Sequence, residues 1–223
     1  IYVIMYFGAI LYLSASTIVT AREYQNRSRL LIYPLILFVM TETIIQVALP
    51  ELHVTWLCVT LLSVLYFIYC NEMWNQLDAL TGLLNQNSYL KRTGGERRNG
   101  EVLVVFDVDN FKQINDRYGH VQGDICLAEI AECIKKVYAN DGYCYRTGGD
   151  EFCVLLKNSE KEGKCRQEFL WRMKEKRRKI TFLPTVSYGS ASFSGEDIVE
   201  VKERADRDMY QYKNKRKKRS SME

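Results

Sequence analysis

Apolar residues dominate the first third of the chain, and a periodic mixture of apolar and polar residues replaces them afterwards. Ile1–Ala21 contains no charged residue, Leu30–Leu49 contains a single acid, and Val54–Cys70 is a shorter apolar run with several aromatic residues. A run of about 20 apolar residues is long enough for a helix to cross a bilayer. The pattern therefore predicts an α-helical transmembrane region over residues 1–70 with about three helices.

The charges between these runs predict their orientation. Arg22, Arg27 and Arg29 lie between the first two runs, whereas residues 50–53, between the second and the third, contain no lysine or arginine. Because basic loops favour the cytoplasmic side, we expect the chain after Cys70 to be cytoplasmic and the protein to be a multi-pass protein of the plasma (inner) membrane. The sequence starts with Ile rather than Met, so we also expect further spans upstream.

The last apolar run continues into a helical stripe. Tyr66, Tyr69, Met73, Leu77 and Leu80 recur every three or four residues, which is the spacing of one helix face. We therefore expect residues 71–80 to form a signalling helix between the membrane region and the rest of the chain. The stripe is compatible with a two-stranded coiled coil but is too short to identify one.

The remaining residues alternate between strand-like and helix-like patterns. Val102–Phe106 is apolar without interruption, as in a strand that is covered on both faces. A Gly-Gly pair within Tyr143–Lys157 predicts a hairpin. The other predicted elements are a helix over Leu127–Val137, a helix around Phe169–Arg178, a strand at Thr185–Ser190 and a helix over about Glu196–Asn214. This order predicts an α/β sandwich with a mostly antiparallel central sheet and flanking helices.

Composition narrows the class of protein. Of the 58 charged residues (31 basic and 27 acidic), 52 lie beyond position 70, where Arg172–Lys179 and Lys213–Arg219 supply much of the net charge of +4. Basic blocks are usually solvated helix faces, and the C-terminal block lacks interleaved aromatic residues, so we expect no nucleic-acid partner. The seven cysteines form no C-x-x-C pair, which predicts buried thiols rather than a zinc site or disulfides.

Four acids flank the predicted central strand and the hairpin turn. Asp107 and Asp109 follow the strand, and Asp150 and Glu151 follow the Gly-Gly pair. If the two strands are neighbours, these carboxylates meet at one sheet edge, where they would raise one another's pKa unless a cation compensates them. Mg²⁺ takes hard oxygen ligands and substrate phosphates, and would do so here. The alternative is that Asp107 or Asp109 caps the following helix.

Four motifs give the chain a family resemblance. FDVDNFKQINDRYGHVQGD at residues 106–124 and TGGDEF at residues 147–152 resemble the signature of the GGDEF family of bacterial diguanylate cyclases. DALTGLLN at residues 78–85 and ADRDMYQYK at residues 205–213 are similar to the motifs that open and close that domain, so the resemblance covers about residues 78–219. It implies a fold similar to nucleotidyl cyclases and polymerase palms. It also implies the joining of two GTP molecules into cyclic di-GMP with release of pyrophosphate.

The resemblance implies roles for individual residues. Asp107, the carbonyl of Val108 and Asp150 match the ligands of Mg²⁺ (or Mn²⁺), and Asp150 also matches the acceptor of the ribose 3′-hydroxyl proton. Lys112 and Glu151 match catalytic residues, and Asn115 and Asp124 match the guanine-recognition pair. Gly148 and Gly149 match the place where the backbone approaches the nucleotide, and Lys213 and Lys217 match residues near the phosphates. Phe111 matches a substrate contact, with packing as its alternative role.

The chain departs from the family pattern in three places. Arg216 and Lys217 stand where the closing motif usually continues with Gly-Arg, and Thr147 replaces the usual tyrosine before the turn. The R-x-x-D motif of the family's product-inhibition site falls on residues 139–142, which read Ala-Asn-Asp-Gly. We therefore expect no R-x-x-D product-inhibition site, unless another arginine, for example within Arg172–Arg178, has rebuilt one.

These observations predict a membrane-tethered homodimer whose cytoplasmic domain is a diguanylate cyclase, with the membrane region as its sensor or anchor. Two alternatives remain open. In one, the domain is a catalytically silent receptor that binds GTP. In the other, the spans form a transporter or lipid sensor that the domain regulates, for which Glu42 inside a predicted span is the hint. The enzyme is favoured, because a silent module has no need of Asp107 and Asp150.

Overall fold

The computed structural model describes residues 55–94 and 100–220, together with residues 37, 41, 44, 45 and 48. The chain divides into two compact units, Ile1–Asn75 and Gln76–Glu223. The predicted span Ile1–Ala21 and most of Leu30–Leu49 lie outside the described residues, so their insertion into a membrane stays a prediction.

In the first unit, helix α1 covers Thr55–Trp74. Several of its large apolar side chains are exposed, among them Leu61, Val64 and Phe67. Within the described ranges, no helix combines the length and the apolar character that are needed to cross a membrane. The third predicted span is therefore helical, but it is not confirmed as a span.

Helix α1 ends at Trp74, so the predicted continuation of the helical stripe to Leu80 was wrong. Leu77 instead pairs with Leu84 in an isolated antiparallel bridge. Leu84 is buried in a cluster of the second unit, and Leu77 packs against the same cluster. After residue 76 the helix-like apolar spacing therefore does not reflect a helix. The apolar side chains there pack into the core from a segment with irregular backbone structure.

A turn at residues 78–82 explains why the helix does not continue. The carboxylate of Asp78 accepts hydrogen bonds from the N–H and the hydroxyl of Thr81, at 2.9 and 2.6 Å. Gly82 adopts a left-handed φ of 65°, a conformation that favours glycine. Side chains that bond nearby backbone groups offer the chain an alternative to helical hydrogen bonds, and this turn takes that alternative.

The second unit is built on a four-stranded sheet. Its strands are β1 (Val102–Val108), β2 (Gly142–Arg146), β3 (Glu151–Leu156) and β4 (Val186–Ser192). They lie in the order β2-β3-β1-β4, and each neighbouring pair is antiparallel. The predicted antiparallel sheet, with the strand at Val102 in its centre, is therefore confirmed.

Helices cover both faces of this sheet. Successive residues of β1 point to opposite faces: Val104 and Phe106 belong to one buried cluster, and Leu103 and Val105 belong to the other. A strand that is covered on both faces needs the uninterrupted apolar sequence that β1 has. The described helices of this unit are α2 (Gln86–Thr93), α3 (Phe111–Tyr118), α4 (His120–Tyr138), α5 (Glu162–Lys179) and α6 (Ile198–Ser220), with a short 3₁₀ helix at Ser159–Lys161.

The cysteines of the second unit act as small apolar side chains, as predicted. Burial raises the pKa of the Cys153 thiol to about 11, and a protonated, buried thiol is a poor nucleophile and a poor metal ligand. The buried cysteines, none of which forms a disulfide, are Cys126, Cys133, Cys144, Cys153 and Cys165.

Strand β4 and helix α6 approach each other closely at Gly189. A Cβ at this position would lie 2.2 Å from the carbonyl oxygen of Ala205 and 2.3 Å from the backbone nitrogen of Met209. Next to it, the N–H of Ser190 donates to the carboxylate of Asp208 at 3.0 Å. The backbone of α6 therefore lies directly on β4, and this close approach brings the following turns of the helix to the end of β1.

We predict that Gly189→Ala destabilises the second unit, because the added methyl group must push α6 away from β4. Overpacking of this kind costs about 1–3 kcal/mol, which the free energy of unfolding in urea measures. Gly163→Ala in α5 is the matched control, because a Cβ there meets no atom within 4 Å and alanine is the better helix former. Equal stability of the two variants would contradict the close approach.

Candidate active site

The end of β1 and the turn between β2 and β3 lie side by side. In the sheet register, Asp107 is opposite Glu151, and the N–H of Val108 donates to the carbonyl of Asp150 at 3.2 Å. The turn, residues 147–150, is called the signature turn below. The predicted neighbour relation of the two strands is confirmed, whereas the catalytic roles of these acids stay predictions.

Lys213 from α6 neutralises this end of the sheet. Its Nζ donates to Oδ2 of Asp107 at 2.5 Å and lies 3.8 Å from Oδ1 of Asp109. Burial disfavours the charge of Lys213, but the hydrogen bond to Asp107 and the charges of the neighbouring aspartates outweigh it, so its pKa lies above the ordinary value. Lys213 therefore stays protonated at neutral pH and brings positive charge to the place where the resemblance puts phosphates.

Asp109 lies at this sheet edge, as predicted, because the Nζ of Lys213 is close to both Asp107 and Asp109, but its own hydrogen bonds give it a structural role. Its carboxylate accepts hydrogen bonds from the hydroxyls of Thr185 at 2.7 Å and Ser187 at 2.6 Å, and from Nη1 of Arg216 at 2.8 Å. Its side chain is 11% exposed. These bonds hold the segment after β1 against β4. Asp109 does not cap the following helix either, because the N-cap residue of α3 is Asn110.

The oxygen atoms at this sheet edge are suitable ligands for a hard divalent cation, but they do not complete its coordination shell. The carboxylates of Asp107 and Asp150 and the carbonyl of Val108 are ligands of the kind that Mg²⁺ and Mn²⁺ take. Across the described residues, no group of three or more histidine, cysteine, aspartate or glutamate side chains is arranged to hold a metal. A cation bound here therefore needs further oxygen ligands, and the phosphates of a nucleotide are such ligands.

Arg146 ties the signature turn to the start of the second unit, a contact that was not predicted. Its Nη1 donates to both carboxylate oxygens of Asp78, at 3.1 and 3.2 Å, and its Nη2 donates to the carbonyl of Gly149 at 2.8 Å. One guanidinium thus joins the backbone of the turn to a side chain 68 residues earlier in the chain. The only signal for it in the sequence is that the motif at residue 78 begins with an acid and an arginine precedes the turn.

The hydrogen bonds of Asp78 keep it ionised. Burial raises its pKa, but the hydrogen bonds from Thr81 and from Arg146 outweigh burial, and the pKa lies below the ordinary value of 3.8. A carboxylate whose pKa is lowered on folding adds stability above its ordinary pKa, and that stability is lost as the pH falls through the lowered value. The contact with Arg146 is therefore fully present at neutral pH.

Gly148 and Gly149 leave space at the signature turn. Neither has a φ in the left-handed region, so the backbone of the turn does not itself require glycine. A Cβ on Gly149 would meet no atom within 4 Å, whereas a Cβ on Gly148 would lie 3.2 Å from Oε2 of Glu151. The open side of Gly149 is room for the atoms of a ligand, which fits the predicted close approach of a nucleotide to this backbone.

Asn115 is held between α3 and α4. Gly123 in α4 lies so close to α3 that a Cβ there would be 2.0 Å from Oδ1 of Asn115. This oxygen is buried and has no hydrogen-bond partner among the described residues. An unpaired buried acceptor costs about 1–3 kcal/mol, and an N–H group on a bound ligand would remove that cost. The position suits the predicted recognition of guanine.

The other predicted contacts differ in their exposure. Lys112 on α3 and Asp124 on α4 are exposed, and so is Glu151 beside the signature turn. Phe111 is partly buried and packs against the main core, which favours its alternative role in packing. The side chain of Lys217 lies outside the described part of the structure, and its predicted phosphate contact stays a prediction.

Known proteins contain domains similar to this chain. The family model described as "Diguanylate cyclase, GGDEF domain" matches residues 75–219. Diguanylate cyclase A of Treponema denticola is 32% identical over 147 residues, which cover 63% of this chain and 40% of that protein. Diguanylate cyclase DgcZ of Escherichia coli is 32% identical over 158 residues, which cover 66% of this chain and 53% of that protein. The chain thus spans about half or less of the length of these relatives.

Two solved structures support the fold. The GGDEF domain of DgcB from Caulobacter crescentus, in complex with c-di-GMP, is 29% identical with a TM-score of 0.54, and the match covers 62% of this chain and 90% of that chain. A microbial GGDEF domain solved with cyclic di-GMP is 31% identical with a TM-score of 0.54, and the match covers 63% of this chain and 94% of that chain.

We predict that Asp78 and Arg146 are energetically coupled. A double-mutant cycle of Asp78→Ala and Arg146→Ala, followed by the free energy of unfolding at about pH 7, should give a coupling of about 0.5–3 kcal/mol. The coupling should weaken as the pH falls below the ordinary carboxyl pKa of 3.8 and should disappear below the lowered pKa of the folded state, because Asp78 is protonated in both states only there. The exposed pair of Asp141 and Lys161 is the control, and a coupling no larger than in that pair would contradict the prediction.

Proposed function

Because the chain belongs to the GGDEF family, we propose that it is a diguanylate cyclase, which joins two GTP molecules into cyclic di-GMP and releases pyrophosphate. The observation that carries this proposal is the end of β1, where Asp107 lies beside the turn of Asp150 and is bonded by Lys213. Carboxylate donors with a lysine next to them suit the transfer of a nucleotidyl group, because the transition state gains negative charge on its phosphate oxygens. The relatives named diguanylate cyclases support the same activity.

The reaction needs a 3′-hydroxyl that loses its proton and a triphosphate whose charge is neutralised. Asp150 would accept the proton, while the hydroxyl oxygen forms a bond to the α-phosphorus of the other GTP and the bond from that phosphorus to pyrophosphate breaks. Lys112 and Lys213 would offset the negative charge of the phosphates. When bound by Asp107, Asp150 and the carbonyl of Val108, Mg²⁺ (or Mn²⁺) supplies a Lewis acid for the phosphate oxygens.

Asn115 and Asp124 support GTP as the nucleotide. The Watson–Crick edge of guanine presents two neighbouring donors, N1–H and the N2 amino group, whereas adenine has no N1–H. The buried Oδ1 of Asn115 lacks a partner among the described residues, and the exposed carboxylate of Asp124 accepts hydrogen bonds only. Two acceptors match two donors, so this pair favours guanine over adenine.

We also propose that the enzyme acts as a homodimer at the plasma membrane, with the second unit in the cytoplasm. Cyclic di-GMP contains two phosphodiester bonds, so two nucleotide-loaded sites have to face each other. Residues 1–70 would tether two copies and raise the local concentration of the second site. The exposure of apolar side chains on α1, 70% for Phe67 and 56% for Ile68, supports contact of that helix with lipid or with a second copy.

Incubation of the purified chain with GTP and Mg²⁺, followed by mass spectrometry of the products, tests the activity. We predict that the chain forms cyclic di-GMP and that Asp150→Asn lowers the rate about 100-fold or more, because the proton acceptor and a metal ligand are lost. Asp116→Asn is the matched control, since Asp116 is an exposed residue of α3 with no proposed role. GTP binding without any dinucleotide product would overturn the proposal in favour of a silent GTP receptor.

Loss of the tether should make the activity depend on protein concentration. We predict that a fragment lacking residues 1–70 shows a specific activity that rises with enzyme concentration, because two free copies must first meet. Fusion of a dimeric coiled coil to its N-terminus should restore the rate at low concentration. A specific activity that stays constant over a hundredfold dilution, while light scattering shows a monomer, would contradict the two-site mechanism.

A further inference from the structure

A groove of about 440 Å³ lies between the C-terminal half of α5 and the last turns of α6. Its apolar floor contains the buried side chains of Phe169, Met173 and Val186. Small-molecule sites have volumes of about 300–1,000 Å³ and mostly apolar walls with a few polar groups, so the groove has the size of a ligand site. None of the residues assigned above to the cyclase reaction lines it.

Four cations line this groove, which is called the basic groove below: Lys174, Arg177, Arg178 and Arg216. No carboxylate of the described residues belongs to its lining, although acids outside the lining pair with Arg178 and Arg216. Lys174 and Arg177 form no ion pair with any described residue. Lys174 and Arg178 are exposed to solvent. No local acid therefore offsets the charges of Lys174 and Arg177, and a bound anion would compensate them.

The guanidinium groups on α5 are oriented by neighbours and keep donors for a ligand. Nε of Arg177 donates to the carbonyl of Leu183 at 3.0 Å, and Nη1 of Arg178 donates to Glu175 at 2.6 Å on the exposed helix surface. A guanidinium has five N–H donors, so each group retains several. The planar fork of such donors binds phosphate with two parallel hydrogen bonds.

Tyr212 adds a flat wall to the basic groove. It is partly buried, and its ring centroid lies 4.3 Å from that of Tyr188. We propose that the basic groove binds a phosphate-bearing nucleotide, with its phosphates on the lysine and the arginines and its base against Tyr212 and the apolar floor. An inorganic phosphate would leave that floor unused, which is why a nucleotide fits the groove better.

Arg216 joins the basic groove to the end of β1. The same Nη1 donates to Asp109 at 2.8 Å and to the carbonyl of Val186 at 3.3 Å, and Thr185 both lines the groove and donates to Asp109. A phosphate that engages Arg216 competes with Asp109, which lies two residues after Asp107. Occupancy of the groove would therefore lower the cyclase rate. This consequence rests on the proposed function, whereas the binding itself does not.

Calorimetry on the full chain carrying Asp150→Asn, which keeps GTP intact, tests the binding. GTP and cyclic di-GMP are titrated separately, with pyrophosphate as the probe for phosphate alone. We expect at least one nucleotide to bind a site whose affinity falls tenfold or more after Lys174→Ala with Arg178→Ala, whether or not the active site, which lacks a metal ligand in this variant, still binds that nucleotide. Because the contact is largely electrostatic, affinity at this site should also fall as the salt concentration rises.

The matched control removes two charges from the same helix outside the groove, through Lys164→Ala with Arg172→Ala. Binding that survives the groove variant unchanged, or that falls equally in the control, would overturn the proposal. Pyrophosphate that binds as tightly as either nucleotide would overturn the assignment of the ligand class. A chain that binds a nucleotide in the groove but forms no cyclic di-GMP would refute the proposed enzyme and leave the groove site standing.

Discussion

The need to compensate the carboxylates at the end of β1 constrains the rest of the second unit. Asp107 and Asp109 stand two residues apart at the end of a strand that is buried on both faces, where negative charges are costly unless cations accompany them. Helix α6 supplies a separate cation to each, Lys213 to Asp107 and Arg216 to Asp109. These two residues are three positions apart, so they lie on one face of the helix. The helix can present them only because Gly189 lets its backbone lie on β4.

The signature turn is held by a second charged contact, which comes from β2, the edge strand opposite β4. The guanidinium of Arg146 bonds the carbonyl of Gly149 and both carboxylate oxygens of Asp78. The first residues of the unit and its last helix, which are far apart in the chain, thus both end at the edge where Asp107 and Asp150 meet. A displacement of either segment would change the shape of that edge directly, since one hydrogen-bonded side chain separates each segment from it.

The sequence predicted features that depend on neighbouring residues, and it missed contacts between residues that are far apart in the chain. The continuous apolar run of β1 and the Gly-Gly turn are local patterns, and both predicted elements exist. The helical stripe failed after Trp74, because the side chain of Asp78 bonds Thr81 and favours a turn. The partners of Arg146 and Asp109 lie 68 and more than 70 residues away, and no periodicity encodes such pairs. The motifs named the candidate site residues, but they did not indicate that Asp109 is bonded to Thr185, Ser187 and Arg216.

Arg216 shows how one departure from the family pattern changes two sites together. A glycine at this position, as the closing motif usually has, offers no side chain to Asp109, which would then keep only the hydroxyls of Thr185 and Ser187. The arginine gives Asp109 a cation and also brings positive charge to the basic groove. Both effects come from one guanidinium, so a ligand of the groove and the carboxylate at the end of β1 would share Arg216. Arg216 therefore stabilises the end of β1, and a ligand in the basic groove could perturb that end through the same residue.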